Sequence, residues 1–465
     1  FALTSGSGTA RPYVKFIGHA SSGVTQSCHL VRYGKYVILL DCGLYQEADI
    51  KTNYEVNRDL LKKIRPKEVD YIILSHCHID HSGQIPALYA KGCQAHIIVP
   101  AGSTEFLRLL WEDSMKIFTA DCQKLQNKHG MKAVPFYTQV DIDHALNRCI
   151  EIDDVYETPF MTMTYLNANH ILYAKQVYMD FTAGSIHHRL GYTGDIGGVT
   201  PQPFVEQRED MPYCNLLIGE NTYNKPSRPN KAYDRAKDID KISTVLSEKH
   251  RTLIPCFSLG RTQILLYVMY KMWQDGKIDN ATKIIVDSPL SQKFCNIWPD
   301  VDEWGDIMRW GNLHFVSEWT ESQALQASNE PCVILSASGF LNGGRAVEWL
   351  KSILPNPNNH VLFAGYSGEN NMASQIRRGD KFINVNGVDV ANRANITDLV
   401  SFSSHANYDE LMSYYTDHCR YDKIVLVHGD DRYKPAFCNA LKDALVEDAK
   451  SSKVVCATAD TKIFF

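Results

Sequence analysis

Short apolar runs broken by turns fill the first part of the chain. Residues 13–16, 27–33 and 36–41 predict a three-strand meander, with Gly34-Lys35 as the turn joining the last two. Residues 59–65 have a helical pattern, and Tyr71-Ile72-Ile73-Leu74 then reads as a short buried strand. Residues 103–132 are charged and helical, and further strands are predicted at 96–99, 161–166 and 216–219. Residues 224–238 form a polar linker carrying Lys225-Pro226 and Arg228-Pro229. Beyond it the rhythm changes. A helix over 240–249 leads into buried strands at 251–255, 283–287, 332–336 and 361–364, with helices at 261–274 and 345–353. That alternation predicts a parallel sheet. The strand-to-helix loops are rich in Gly and Ser at 258–260, 338–339 and 365–368, which suits a tight turn or a phosphate cradle. Short strands return at 399–402 and 423–427, each running into polar residues.

Composition narrows the class. The 465 residues leave room for more than one domain, and 44% hydrophobic with 22% charged residues is ordinary for a water-exposed globular chain. The longest apolar stretch, 252–272, is interrupted by Arg261, Gln263 and Lys271, so no membrane span is expected. Residues 1–12 read as a polar Gly/Ser-rich tail rather than a signal segment. The thirteen cysteines are odd in number and form no CxxC pair. Cys28, Cys42, Cys214, Cys256, Cys332 and Cys456 sit among apolar or small residues, so reduced thiols and a cytoplasmic location are expected. The net charge of −5 argues against a generally basic nucleic-acid coat. It leaves open an enzyme whose bound metals supply the positive field.

The chemistry concentrates after the strand at 71–74, in His76-Cys77-His78-Ile79-Asp80-His81. Histidines two apart would point in nearly opposite directions on a helix, so this is not the helical His-x-x-x-His signature. A loop at a strand end can turn His76 and His78 towards one metal and Asp80 and His81 towards a second. Cys77 is expected to point away as filler. A two-metal hydrolytic site needs three or four protein ligands per metal. His170, Asp195 after a Thr-Gly turn, and His428 each follow a predicted strand and would complete a set of seven. His19, His29, His96, His144, His314 and His360 lack such company and are expected to be structural. The adjacent pair His187-His188 is expected in a surface turn.

The order of Asp41 in LLDCG, HCHIDH, His170 and Asp195 resembles the metallo-β-lactamase superfamily. Glu220 in GENTY, His405 in SFSSHAN and His428 in VHGDD resemble the three additional motifs of the β-CASP nucleic-acid hydrolases. The likeness runs from Val14 to the end and includes LIPCFSLGRTQILL, IIVDSPL, VILSASGFLNGGRA and LFAGYSGEN. Its compact form is similar to bacterial and archaeal RNA-processing members and to the endonuclease core of the cleavage and polyadenylation specificity factor. The resemblance implies an α/β fold: an αββα sandwich built from 1–223 and 398–465, with a parallel α/β β-CASP domain inserted over 224–397. The cleft between them would hold substrate.

It also implies two zinc ions per chain. His76, His78 and His170 would hold one, Asp80, His81 and His428 the other, and Asp195 would bridge them. Asp41 would orient a ligand histidine. Asp80, Glu220 and His405 would be the catalytic residues, with His405 as general acid and Glu220 its partner. Ser403 and Ser404 would bind phosphate. A histidine at position 428 accompanies RNA substrates in this family. The expected activity is therefore ribonucleolytic, endo- or 5′-exo-, by a two-metal hydroxide mechanism. The expected partners are RNA and no membrane, with a homodimer or a larger RNA-processing complex both open. A DNA nuclease of the same fold and a thioester or lactam hydrolase are the alternatives; the latter would need neither Glu220 nor His405. Three positions depart from the family pattern. Asn169 stands where Gly commonly precedes the third-motif histidine, Tyr173 where a small residue is common, and Asn407 where Asp usually ends the SFSAHAD-like run.

Overall fold

The computed structural model describes residues 11–226, 233–365, 371–446 and 454–465. Residues 1–10 of the predicted tail, part of the linker and most of the Gly365–Gly368 loop lie outside the described residues. The chain divides into two compact units. One comprises Phe1–Pro201, Val205–Arg228 and His405–Phe465, and the other Gln202–Phe204 and Pro229–Ser404.

The first unit contains two seven-stranded sheets. The predicted meander is present as Tyr13–Phe16, His29–Tyr33 and Tyr36–Leu40, and Tyr71–Ile73, His96–Pro100 and Cys149–Ile152 extend it in parallel. The second sheet runs Val454–Cys456, Cys419–Val427, Met211–Glu220, Ile186–Tyr192, Lys175–Ala183, Met161–Asn167 and Val155–Thr158. Alternate residues of both sheets share one core. Phe16, Val31, Leu40, Ile73 and Ile98 of the first pack with Met163, Val177, Phe181, Leu216, Ile218 and Val425 of the second. Ser103–His129 contacts the first sheet, and Tyr408–Asp417 and Lys434–Val446 contact the second, giving four αββα layers.

In the second unit a six-stranded parallel sheet has the order Leu313–Phe315, Ile284–Asp287, Val333–Ser336, Thr252–Pro255, His360–Phe363, Asn395–Asp398. Its four central strands are buried at every position, which is why they read as continuous apolar runs rather than as alternation.

Several elements differ from expectation. The helix expected from 59 begins at Ile50, where Asp49 caps it by accepting from the Lys51 and Thr52 amides. Residues 399–402 are not a strand. Val400–Phe402 is a single 3₁₀ turn, because the Ser401 amide donates to the buried carboxylate of Asp238 rather than to a neighbouring strand. His187 and His188 lie on the strand Ile186–Tyr192, the turn falling at Gly184; the exposed ring of His187 pairs with Asp180 at 2.9 Å. Cys456 is not a free thiol. The helix Lys434–Val446 brings Cys438 to the end of strand Val454–Cys456, with the two Cα atoms 6.5 Å apart, and the cysteines are bonded. Among the described residues no helix is long and apolar enough to cross a membrane.

Candidate metal and catalytic centre

The strand ends of the first unit deliver the site. Tyr71–Ile73 stops, and residues 74–78 lead into the short helix Ile79–Ser82. His76 and His81 are buried, while Cys77 turns away, its thiol 3.7 Å from the Ser103 carbonyl and pushed up to about 12 by burial. His170 follows Met161–Asn167, Asp195 follows Ile186–Tyr192, and His428 ends Cys419–Val427. The approach of these segments is very close. A Cβ on Gly43 would sit 1.5 Å from the Asp80 carbonyl oxygen, and one on Gly194 2.7 Å from Ser75 Cβ. The Thr-Gly turn before Asp195 therefore makes room for the Ser75 side chain.

All seven expected ligands converge in two groups that share one residue. His76, His78, His170 and Asp195 form the first, and Asp80, His81, Asp195 and His428 the second, each with ligand atoms within 4.8 Å of one another. The two oxygens of Asp195 divide between them. Oδ2 lies 3.6 Å from His76 Nε2 and 3.6 Å from His170 Nε2. Oδ1 lies 3.3 Å from His81 Nε2 and 3.5 Å from His428 Nε2. His170 Nε2 also stands 3.3 Å from His78 Nδ1, and Asp80 Oδ2 3.3 Å from His428 Nε2.

The supporting hydrogen bonds fix which ring nitrogens face inward. Asp41, fully buried with φ 57°, accepts from the Ser75 amide at 2.7 Å through Oδ1. Its Oδ2 accepts from Ser75 Oγ, Tyr192 hydroxyl and His81 Nδ1, each at 2.7 Å. Since Ser75 gives its proton to Asp41, it can only accept from His76 Nδ1, 3.0 Å away. Both His76 and His81 thus carry the proton on Nδ1 and turn Nε2 to the site. Ser75 and Tyr192 were not singled out from the sequence. Ser75 precedes the motif directly, but a lone Ser or Tyr beside a strand end has no distinguishing spacing.

This donor set suits a cation. His76 Nε2 is buried with no hydrogen-bond partner. Imidazole nitrogens and carboxylate oxygens are the ligands of a borderline metal such as zinc. Protons are drawn to the same place in the metal-free protein. Burial disfavours the His428 imidazolium, yet Asp195 and Asp80 outweigh it and push the group up to about 9. His81 moves the same way for the same reasons, burial being overcome by Asp195 and Asp80. Burial wins at His78, which falls to about 4, and at His76, where the neighbouring His81 adds to it. Asp195, although buried, is held well below the ordinary carboxylate range by His428 and His81.

Beside the second oxygen of Asp195 stands the third group, His405 and Glu220. His405 Nδ1 is 2.9 Å from Glu220 Oε1, and its Nε2 is 3.9 Å from Asp195 Oδ2. Glu220, fully buried, also accepts from the Ile196 amide at 2.9 Å and the Thr222 amide at 3.0 Å. Ser403 and Ser404 fall in the second unit, where the Ser403 carbonyl accepts from Gln202 at 3.2 Å. Two of the three departures from the family pattern fall at left-handed backbone positions, and the third keeps a capping role. Asn169 adopts φ 53° and Tyr173 φ 65°, the left-handed region that Gly reaches without strain. Asn407 caps Tyr408–Asp417 by accepting from the Glu410 amide at 2.9 Å, as an aspartate would.

Three family models match the chain in order: the metallo-beta-lactamase superfamily over residues 22–127, the Beta-Casp domain over 262–376, and the Zn-dependent metallo-hydrolase RNA specificity domain over 389–452. A Thermus thermophilus protein named as a ribonuclease is 28% identical, covering 89% of this chain and 92% of its own. The RNase J-like protein of Methanocaldococcus jannaschii is 26% identical over 90% and 93%. A crystal structure of a protein of unknown function from Enterococcus faecalis V583 shares the fold, with a TM-score of 0.54, 12% identity, and coverage of 98% and 100%. The chain belongs to the metallo-β-lactamase superfamily and, within it, to the β-CASP family.

Proposed function

We propose that the protein is a zinc-dependent ribonuclease that hydrolyses RNA phosphodiester bonds at this centre. The division of the two Asp195 oxygens between a three-histidine group and an Asp80–His81–His428 group carries the reading. In it, His76, His78, His170 and Asp195 would hold one zinc, and Asp80, His81, His428 and Asp195 the second. Bound zinc supplies an acidified water and neutralises charge on the scissile phosphate.

The chain's own residues do the rest. Glu220 accepts the His405 Nδ1 proton and fixes the ring, so that Nε2 faces the site. A proton on Nε2 passes to the leaving oxygen, which departs as an alcohol, and supplying it lowers the barrier for a group that would otherwise leave as an alkoxide. Lactam hydrolysis has no need of this pair. An RNA specificity domain beyond the inserted sequence, and relatives named as ribonuclease and RNase J-like protein, support RNA as the substrate. The test incubates the zinc-loaded chain separately with end-labelled RNA, end-labelled DNA and a chromogenic lactam. RNA is expected to be cut, and EDTA to abolish cutting. Lactam or DNA hydrolysis with intact RNA would overturn the assignment.

A further inference from the structure

The turn Glu220-Asn221-Thr222 carries a hydroxyl that the chemistry above does not use. Thr222 is 4% exposed, and its Oγ1 lies 2.8 Å from His428 Nδ1 and 3.2 Å from the His428 carbonyl oxygen. A carbonyl can only accept, and a hydroxyl that donates to it has only lone pairs left for the ring, an arrangement that matches a proton on Nδ1. In the neutral ring Nε2 then carries the lone pair, and it faces Asp80 Oδ2, 3.3 Å away, and Asp195 Oδ1, 3.5 Å away.

Thr222 grips both ends of a residue in an uncommon backbone state. His428 has φ 55°, and its amide donates to Ala20 rather than continuing the strand ladder. The same logic operates on the other two rings, where Ser75 accepts from His76 Nδ1 and Asp41 from His81 Nδ1. Those two share the Asp41 carboxylate; His428 has an independent holder on a different strand end. The Thr222 amide in turn donates to Glu220 Oε2, so a single turn positions both a metal-facing histidine and the carboxylate that orients His405.

We propose that Thr222 is a positioning residue that selects the Nδ1–H tautomer of His428 and aims its Nε2 at the metal of the Asp80–His81–His428 group. The inference rests on the reading of His428 as a ligand. The test strips the full chain of metal and titrates it with zinc alone, against a competing chromogenic chelator. Two equivalents are expected for the unaltered chain. Thr222→Val should leave one site unchanged and weaken the other about 10- to 100-fold, the usual effect of losing such a partner. Thr222→Ser, which keeps the hydroxyl, should restore it. Equal zinc affinity in parent and Thr222→Val would overturn the proposal while leaving the ligand reading intact. So would equal losses in Val and Ser, which would mark a purely structural role. Fewer than two equivalents in the parent would bring down the ligand reading, and the inference with it.

Discussion

Glu220 Oε1 and His405 Nδ1 are 2.9 Å apart, and the opposite ring nitrogen of His405 stands 3.9 Å from Asp195. His405 therefore touches the metal-facing cluster without being enclosed by it, and its ring is 15% exposed where Glu220 is fully buried. Replacing it should separate chemistry from metal binding. His405→Ala is expected to keep the zinc content of the parent, read by mass spectrometry, while RNA cleavage falls about 10²- to 10⁴-fold, the range of one general acid. A variant that cleaves at the parental rate would remove His405 from the mechanism.

Asp195 offers the opposite separation. Its two oxygens face different groups, so neither group is complete without it. Asp195→Ala should lose zinc as well as activity, and the loss should extend to both sites. Retention of two equivalents at parental affinity would show that the groups are independent. Asp195→Asn should be weaker than the parent but retain more zinc than the alanine variant, because one acceptor oxygen remains.

The candidate ligands were legible because His76, His170, Asp195 and His428 each stand within a few residues of a strand end, with His78, Asp80 and His81 in the same loop as His76, and strand ends place such residues at a common sheet edge. The parallel sheet was equally legible from its uninterrupted apolar strands. What the sequence hid was the network around the ligands. Ser75, Tyr192 and Thr222 hydrogen-bond to ligand or orienting groups from three segments, at 2.7 to 3.0 Å, through common residue types at ordinary spacings. The strand expected at 399–402 failed for a similar reason. Its apolar composition suited a strand, but a distant carboxylate, Asp238, took the backbone donor that a ladder would have used. The pairing of Cys438 with Cys456 depends on a helix docking against a strand and has no signature in spacing.

Asp41 is the acceptor for four donors, and its charge suits all of them. Asp41→Asn would turn an amide NH₂ towards one of these N–H or O–H groups, leaving a buried donor unpaired. A stability loss of about 1–3 kcal/mol is expected from that mismatch. Zinc affinity should fall about 10- to 100-fold, since His76, through Ser75, and His81 lose their orientation together. Thermal unfolding of the metal-free variant measures the first effect, and chelator competition the second. Parental affinity would show that the rings are held in place by packing alone.

Gly43 tests how tightly the ligand loop is seated. Its amide donates to Ser27, whose own amide donates to the Asp80 carbonyl, the atom 1.5 Å from a built Cβ. Backbone on both sides leaves no flexible side chain to give way. Gly43→Ala should destabilise the fold by about 1–3 kcal/mol or more, as overpacking does, and displace Asp80 and His81. Gly311→Ala, where nothing lies within 4 Å, is the control and should change neither stability nor zinc content. A Gly43→Ala chain that matched the control would mean that the loop can shift without cost.

The metal-free protein should have a stability maximum near the free imidazole pKa, about 6.5. Two sets of histidines pull in opposite directions across it. His428, pushed up to about 9 by Asp195 and Asp80 against burial, binds a proton more tightly folded than unfolded. Its contribution is complete below about pH 6.5 and is lost as pH rises through about 9, and His81 adds a loss of the same sign. His78, lowered by burial to about 4, and His29, lowered by burial to about 3, behave conversely. Their folded forms resist protonation, so their contribution is complete above about pH 6.5 and is lost as pH falls towards those values. Zinc occupies the lone pairs that protons would otherwise take, so its binding removes the alkaline loss. Melting temperatures after EDTA treatment should therefore peak near pH 6.5, and the gap between zinc-loaded and metal-free chain should widen from there to pH 9. A metal-free melting temperature that climbed steadily to pH 9 would mean that Asp80 and Asp195 do not hold protons on His81 and His428.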